Sequence, residues 1–439
     1  MLSRIALGAI AALLTPAAPA AQLPELAHPQ GVSPAAPFAD FASGAPSGTG
    51  QRVVIADGAQ LDYFGWSVAI DGDTALVGAY GVTVNGYTEQ GAAYVFTKTD
   101  GVWILAATLT GSDGFAFDLF GERVALSGNI AAIGAYGADG SKGAVYVFSG
   151  SGSHWTEKAR LVADDGAAND CLGWSLAATG QMVLAGAPFV MTGNVQTGAV
   201  YAFAPSGGTW VQTQKFFPDD VNSGDGFGST VAADGTTAIA AADGALVGAN
   251  YGQGAAYVYS LDGGTWTQQA KLTADDGAAF DNFGRSVAVS GSTVFVGAPY
   301  AVIDGNGFEG AAYVFNGSGA NWRQDQKLVA SDGAADGYFG WSVAVSGDNA
   351  LVGAGSYNMA RAGEAYSFAR QSGLFEETHV YAGDGGGVDD YGWSVGLSGS
   401  DAIVGEPFAY VDPNYAQGAT FFYTLEAPSN DTIFANGFE

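Results

Sequence analysis

A chain of 439 residues with 68 glycines, 48% hydrophobic and only 13% charged residues can bury a large core and make many tight turns, which excludes the disordered and coiled-coil classes. Its 43 acidic against 14 basic residues give a formal net charge of -29, a field that excludes general binding to nucleic acid or an anionic bilayer and favours cations or a basic partner. The single cysteine, Cys171, excludes an internal disulfide framework and reads as a small buried filler.

At the N-terminus, "MLSRIALGAIAALLTPAAPAAQ" carries Arg4, an apolar run from Ile5 to Leu14 and the small-residue site Ala18-Pro19-Ala20. Together these predict a secretory signal peptide over 1–20. The expected location is therefore secreted: extracellular, cell-surface or periplasmic. No later segment has the unbroken apolar length of a membrane helix, so no membrane span is expected. Residues 21–50 are rich in Ala, Pro, Gly and Ser without periodicity and read as a linker.

From Gln51 onward one pattern recurs. An FG-type dipeptide appears at Phe64-Gly65, Phe120-Gly121, Leu172-Gly173, Phe227-Gly228, Phe283-Gly284, Phe339-Gly340 and Tyr391-Gly392. A second apolar run follows each, ending in Gly plus a small residue: "LVGAY" at Gly78, "AIGAY" at Gly134, "LAGAP" at Gly186, "LVGAN" at Gly248, "FVGAP" at Gly297, "LVGAG" at Gly353 and "IVGEP" at Gly405. This placement makes the fourth repeat, "VAADGTTAIAAADGALVGAN", look expanded. A third run such as "GAAYVF" from Gly91 and a fourth such as "WTQQAKLTA" from Trp266 complete most units.

Short alternating runs of Val, Ala, Tyr and Phe split by Gly, Asp and Ser describe antiparallel strands joined by hairpins. A period of 52 to 56 residues between FG glycines suits one four-stranded blade per repeat. The seventh unit lacks a fourth strand after "GATFFY", whereas "RVVIA" stands unmatched before the first FG. The expected fold is thus all-β: a seven-bladed β-propeller of four-stranded antiparallel blades over 51–425, closed by an N-terminal strand that completes the last blade and leaves no open edge. The tail 426–439, with "SNDTIFANGFE", reads either as a sorting tag or as a frayed terminus.

These FG and Gly-Ala-Pro spacings resemble the FG-GAP repeat family, in its bacterial secreted form and, more distantly, the propeller of integrin alpha chains. The resemblance implies adhesion or binding through one face, and integrin-type repeats hold calcium in a D-x-D-x-D-G turn. The corresponding turns here, "AIDGDTA", "ALSGNIA", "AVSGSTV" and "AVSGDNA", are too short to supply a ring of oxygen ligands, so that calcium site is not carried over.

The loop before FG and the loop after the Gly-Ala pair emerge on one face, called upper here. Its loops differ most from blade to blade, and Tyr87, Phe189, Tyr300, Phe308, Tyr410 and Tyr415 are the aromatic candidates for ligand contact. Each loop before FG carries paired acids: Asp57 and Asp62, Asp113 and Asp118, Asp165 and Asp170, Asp220 and Asp225, Asp276 and Asp281, Asp332 and Asp336, Asp384 and Asp389. Two carboxylates around a glycine could help hold calcium; recurrence in every blade is equally explained by turn capping, which is favoured because no set of six oxygens can be named. Trp66, Trp174, Trp341 and Trp393 occupy one repeat position and read as packing residues.

Enzyme signatures fail on context. "GWSVG" from Gly392 matches a nucleophile elbow, but it aligns with "GWSVA" at Gly65 and Gly340, which places Ser394 in a first strand. "SLDGGTW" from Ser260 is one residue short of an aspartate box. His28, His154 and His379 form no metal pair. The expectation is a monomeric, non-enzymatic module that recognises an extracellular protein or glycan through its upper loops. Two alternatives remain: a glycan-acting hydrolase or lyase using upper-face carboxylates, and an inert scaffold.

Overall fold

The computed structural model describes residues 50–355, 362–383 and 389–425. The signal peptide over 1–20, all but the last residue of the 21–50 linker, the 426–439 tail, His28 and Asp384 lie outside them.

Seven four-stranded antiparallel sheets form the fold. In the first blade the strands are Ser67–Asp71, Thr74–Ala79, Ala92–Thr99 and Val102–Leu109. Their register sets Ser67 opposite Gly78 and Ala93 opposite Leu109. Blades two to six repeat this plan. The seventh consists of Ser394–Ser398, Asp401–Glu406 and Ala419–Thr424, and its fourth strand is Gln51–Val53, which pairs Gln51 with Phe422. The expected closure by the N-terminal strand is therefore present.

Burial explains the strand types. Third strands such as Ala92–Thr99 are buried through their first five residues because a neighbouring blade covers each face, so they read as continuous apolar runs. Fourth strands such as His154–Leu161 alternate exposed and buried residues over their first half, as outermost strands do. In every blade but the third, where Leu172 stands, the FG aromatic meets a ring from the third strand edge-on, as Phe120 on Tyr146 at 5.3 Å, Phe283 on Tyr313 at 5.5 Å and Phe339 on Tyr366 at 5.2 Å.

Close approach between blades requires the second-strand glycine. A Cβ at Gly78 would meet the carbonyl of Gly121 in the next blade, and one at Gly297 the carbonyl of Gly340. The first-strand hydroxyls exploit the same proximity. Ser175, Ser286 and Ser342 donate to the carbonyls of Gly228, Gly340 and Gly392, each at 2.8 Å.

Blade four corrects one sequence reading. Its second strand is Thr237–Ala242, and Ala241 pairs with Thr230 as Gly78 pairs with Ser67. The repeat glycine is therefore replaced by Ala241, the repeat is not expanded, and "LVGAN" lies in the upper loop. There Val247 and Asn250 bracket a tight turn with Gly248 at φ +60°. The Gly-small signature was matched to the wrong segment because a turn glycine imitates it.

Candidate binding face

The upper face is built by each blade reaching into the next. Backbone N–H groups three residues before FG donate to the preceding upper loop: Leu61 to the Tyr415 carbonyl at 3.1 Å, Phe117 to Thr88 at 2.9 Å and Phe280 to Tyr251 at 3.0 Å. This bond holds Leu61, Phe117 and Phe280 at φ of +67°, +67° and +71°, a left-handed region that costs a non-glycine residue about 1–2 kcal/mol. Their side chains gain no burial in return, being 41%, 58% and 61% exposed. Sequence reasoning missed these three residues; the signal was an apolar residue in a loop position where three other blades carry Asn169, Gly224 and Asp336.

Of the aromatic candidates, Tyr87, Phe308, Tyr410 and Tyr415 are exposed, while Phe189 and Tyr300 are half-buried. Phe189 meets Trp174 edge-on at 5.3 Å, and Tyr300 meets Phe308 and Tyr338, both at 5.7 Å. Other exposed aromatics join them: Phe115 beside Tyr87 at 5.4 Å, and Tyr251 beside Phe280 at 5.7 Å.

The paired aspartates take separate partners. In five pairs the second acid caps its own turn: Asp62 accepts from the N–H of Ala59 at 2.6 Å, Asp118 from Phe115 at 2.7 Å, Asp170 from Ala167 at 2.8 Å, Asp225 from Asn222 at 2.6 Å and Asp281 from Ala278 at 2.7 Å. Burial raises the carboxyls of Asp62, Asp118 and Asp281 above the usual range in spite of that bond. The first acid instead meets a third-strand tyrosine and a fourth-strand cation. Asp165 accepts from Tyr201 at 2.9 Å and Lys215 at 2.6 Å, and Asp276 from Tyr313 at 3.0 Å and Lys327 at 2.6 Å. Burial alone would raise Asp165 and Asp276, but these hydrogen bonds and the ammonium charge outweigh it and hold both carboxyls low.

Asp113 follows the same scheme with Tyr146 at 2.7 Å and Arg160 at 3.2 Å, and Asp220 pairs with Lys271 at 2.6 Å. In blade six Asp332 accepts from Tyr366 at 2.8 Å, but Asp336 is not the counterpart of the capping acid. It stands one position earlier, where Phe280 stands in blade five, and its φ is +60°. Asp57 and Asp389 complete the described members. Among the described residues no group of three or more His, Cys, Asp or Glu side chains converges as a metal site would require.

The four tryptophans after FG mark the axis end of the first strands. Trp66 and Trp341 lie 4.6 and 5.0 Å from Trp393. The same repeat position holds Glu122, Ser229 and Arg285, which sequence reasoning did not single out. Trp66 Nε1 donates to Glu122 at 3.1 Å, and the Arg285 guanidinium sits 4.5 Å over Trp341. Burial raises the Glu122 carboxyl, opposed by the charge of Arg123 and the Trp66 N–H.

Cys171 is buried, and burial pushes its thiol up to about 11, which suits an inert filler. Its repeat position is aromatic only at Tyr63 and Tyr338; Leu119, Gly226, Asn282 and Asp390 fill the others.

No described helix is long and apolar enough to cross a membrane. A search of curated proteins finds no match to the chain. A family model described as FG-GAP repeat matches it seven times, at residues 50–96, 103–148, 155–203, 210–259, 266–315, 322–368 and 374–423. The matches run from the fourth strand of one blade to the third strand of the next, so the sequence unit straddles the structural one.

Proposed function

The chain belongs to the FG-GAP repeat family, and from that premise we propose a secreted, non-enzymatic module that binds an extracellular protein or glycan through its upper face. A propeller of this family supports binding or scaffolding in general. The observation that carries the finer reading is the set of exposed apolar side chains on the upper loops, three of them, Leu61, Phe117 and Phe280, at a loop position that is left-handed in three other blades as well. Apolar side chains gathered on one exposed face mark a surface that serves recognition.

The paired aspartates support the fold rather than a cation in this reading, because most of the described ones are engaged by turn N–H groups, tyrosines, lysines or Arg160. Ser394 is likewise engaged: its hydroxyl donates to a backbone carbonyl instead of standing free as a nucleophile.

The test is surface binding by the labelled full chain against immobilised extracellular proteins and glycans. Replacing Tyr87, Tyr410 and Tyr415 together by Ala is expected to abolish saturable binding while leaving the melting temperature within a degree or so, since exposed side chains contribute little to stability. Undiminished binding by a folded triple variant would remove the upper face as the binding surface. Turnover of a polysaccharide, lost on a single carboxylate change, would replace this reading with a glycan-acting enzyme.

A further inference from the structure

Four upper loops contain the same tight turn, closed by paired backbone bonds between Val84 and Tyr87, Val247 and Asn250, Ile303 and Asn306, and Val411 and Asn414. In the last three the closing residue is asparagine, and its amide latches the side chain three positions on. Asn250 Nδ2 donates to Gln253 Oε1 at 2.9 Å, Asn306 to Glu309 Oε2 at 2.8 Å and Asn414 to Gln417 Oε1 at 2.8 Å. Asn250 and Asn414 also donate to the carbonyls of Gly277 and Gly58 in the adjoining blade, at 3.1 and 3.0 Å.

Blade one breaks the pattern. Tyr87 stands at the asparagine position, and a phenol cannot present an amide NH2 there. Gln90 nevertheless keeps its place, lying against Gly114 as Gln253 lies against Gly277 and Gln417 against Gly58. Gln90 is 3% exposed, and among the described residues its Oε1 accepts no hydrogen bond. An acceptor buried this way costs about 1–3 kcal/mol, and such an exception in a native fold calls for a cause.

The same junction exposes aromatic surface at Tyr87, Phe115 and Phe117, with Tyr87 and Phe115 rings 5.4 Å apart. One ligand unit that satisfies both features needs an apolar face to lie on rings and a neutral hydrogen-bond donor at its edge. A pyranose has this build: C–H bonds on its face, hydroxyls or an acetamido N–H around its rim. The net charge of -29 disfavours an acidic sugar.

We propose that the junction of blades one and two is a subsite for a neutral saccharide, whose ring stacks on Tyr87 and Phe115 and whose hydroxyl or amide N–H donates to Gln90 Oε1. The inference rests on the upper face being the binding face and names its ligand class. Because Gln90 is covered, the exposed rings swing aside as the sugar enters, a side-chain motion that is fast on the timescale of binding. The Tyr251–Phe280 pair and the Tyr415–Leu61 neighbourhood lie on the same face, with their glutamine latches closed, and serve as weaker contacts for further units of a chain. Repetition on one rigid scaffold favours a polymer over a single sugar.

The experiment is calorimetric titration of the full chain with chitotetraose, cellotetraose and maltotetraose, using polygalacturonate as the acidic control. The expected result is binding of at least one neutral tetrasaccharide. Phe115→Ala weakens it about tenfold, the scale of one aromatic contact, and Phe280→Ala changes it less than about twofold. Tyr87→Asn abolishes it by restoring the latch to Gln90, with the melting temperature unchanged or raised, which separates a filled site from a misfolded one. Failure of all three neutral sugars to bind, or wild-type affinity in both Tyr87→Asn and Phe115→Ala, overturns the proposal. In the first case, continued loss of surface binding in the Tyr87, Tyr410 and Tyr415 variant leaves the binding face standing and makes its ligand a protein.

Discussion

The hydroxyl of Ser394 donates to the carbonyl of Gly65 at 2.8 Å, across 329 residues of sequence. The seventh blade thereby grips the first with the same bond that joins the third to the fourth and the fifth to the sixth, so the ring closes by a side-chain latch as well as by the shared strand Gln51–Val53. Ser394→Ala leaves a carbonyl at a close blade contact without its donor and should cost about 1–3 kcal/mol. The check is a denaturant melt, in which an unchanged midpoint would show that the latch contributes nothing to closure.

Gly297→Ala forces a methyl against the Gly340 carbonyl. Backbone cannot withdraw as a flexible side chain can, so the variant should lose at least about 2 kcal/mol or fail to fold. Ala241 already occupies the matching position in blade four, where the neighbour has adjusted. Ala241→Gly should therefore stay within about 1 kcal/mol of the parent, the ordinary glycine penalty. Equal melting temperatures for the two variants would contradict the steric account.

Asp390 is 1% exposed and its Oδ1 has no hydrogen-bond partner among the described residues. Burial, with the neighbouring Asp389 charge adding to it, raises this carboxyl from 3.8 to about 7. The folded state holds its proton where the unfolded chain has released it, so this group favours folding at low pH and progressively opposes it as pH rises from about 4 to 7. Above that the loss stays constant, on the order of 4 kcal/mol. Asp390→Asn should flatten stability across this window and raise the melting temperature at pH 8. Parallel pH profiles for the two proteins would remove Asp390 as the cause.

Calcium should raise the melting temperature no more than magnesium at matched ionic strength, because diffuse screening of an acidic surface is then the whole effect. Asp281→Ala should lower stability by about 1.5–3 kcal/mol through loss of its charged turn bond to Ala278, with or without calcium. Discrete stoichiometric heats in a calcium titration, lost in Asp281→Ala, would instead make these loops metal sites.

The propeller was legible because its information is periodic. Strand alternation, FG spacing and the unpaired strand before Phe64 depend on steric and hydrophobic rules that act locally and identically in each repeat, and the tertiary structure reproduces them down to the closing strand at Gln51. Even the slip at Gly248 came from the same source, since a glycine required by a tight turn and a glycine required by blade contact are indistinguishable as letters.

The candidate binding face was legible only as a set of variable loops. Which aspartate meets a lysine and which caps a turn, why Leu61, Phe117 and Phe280 point outward, and why Gln90 alone lacks its asparagine are decided between blades, by residues some tens of positions apart. Sequence by itself determined the fold, because one blade's pattern repeats; only the tertiary structure singled out the candidate site, because it shows where one copy departs from its neighbours and the adjoining blade leaves the departure uncompensated.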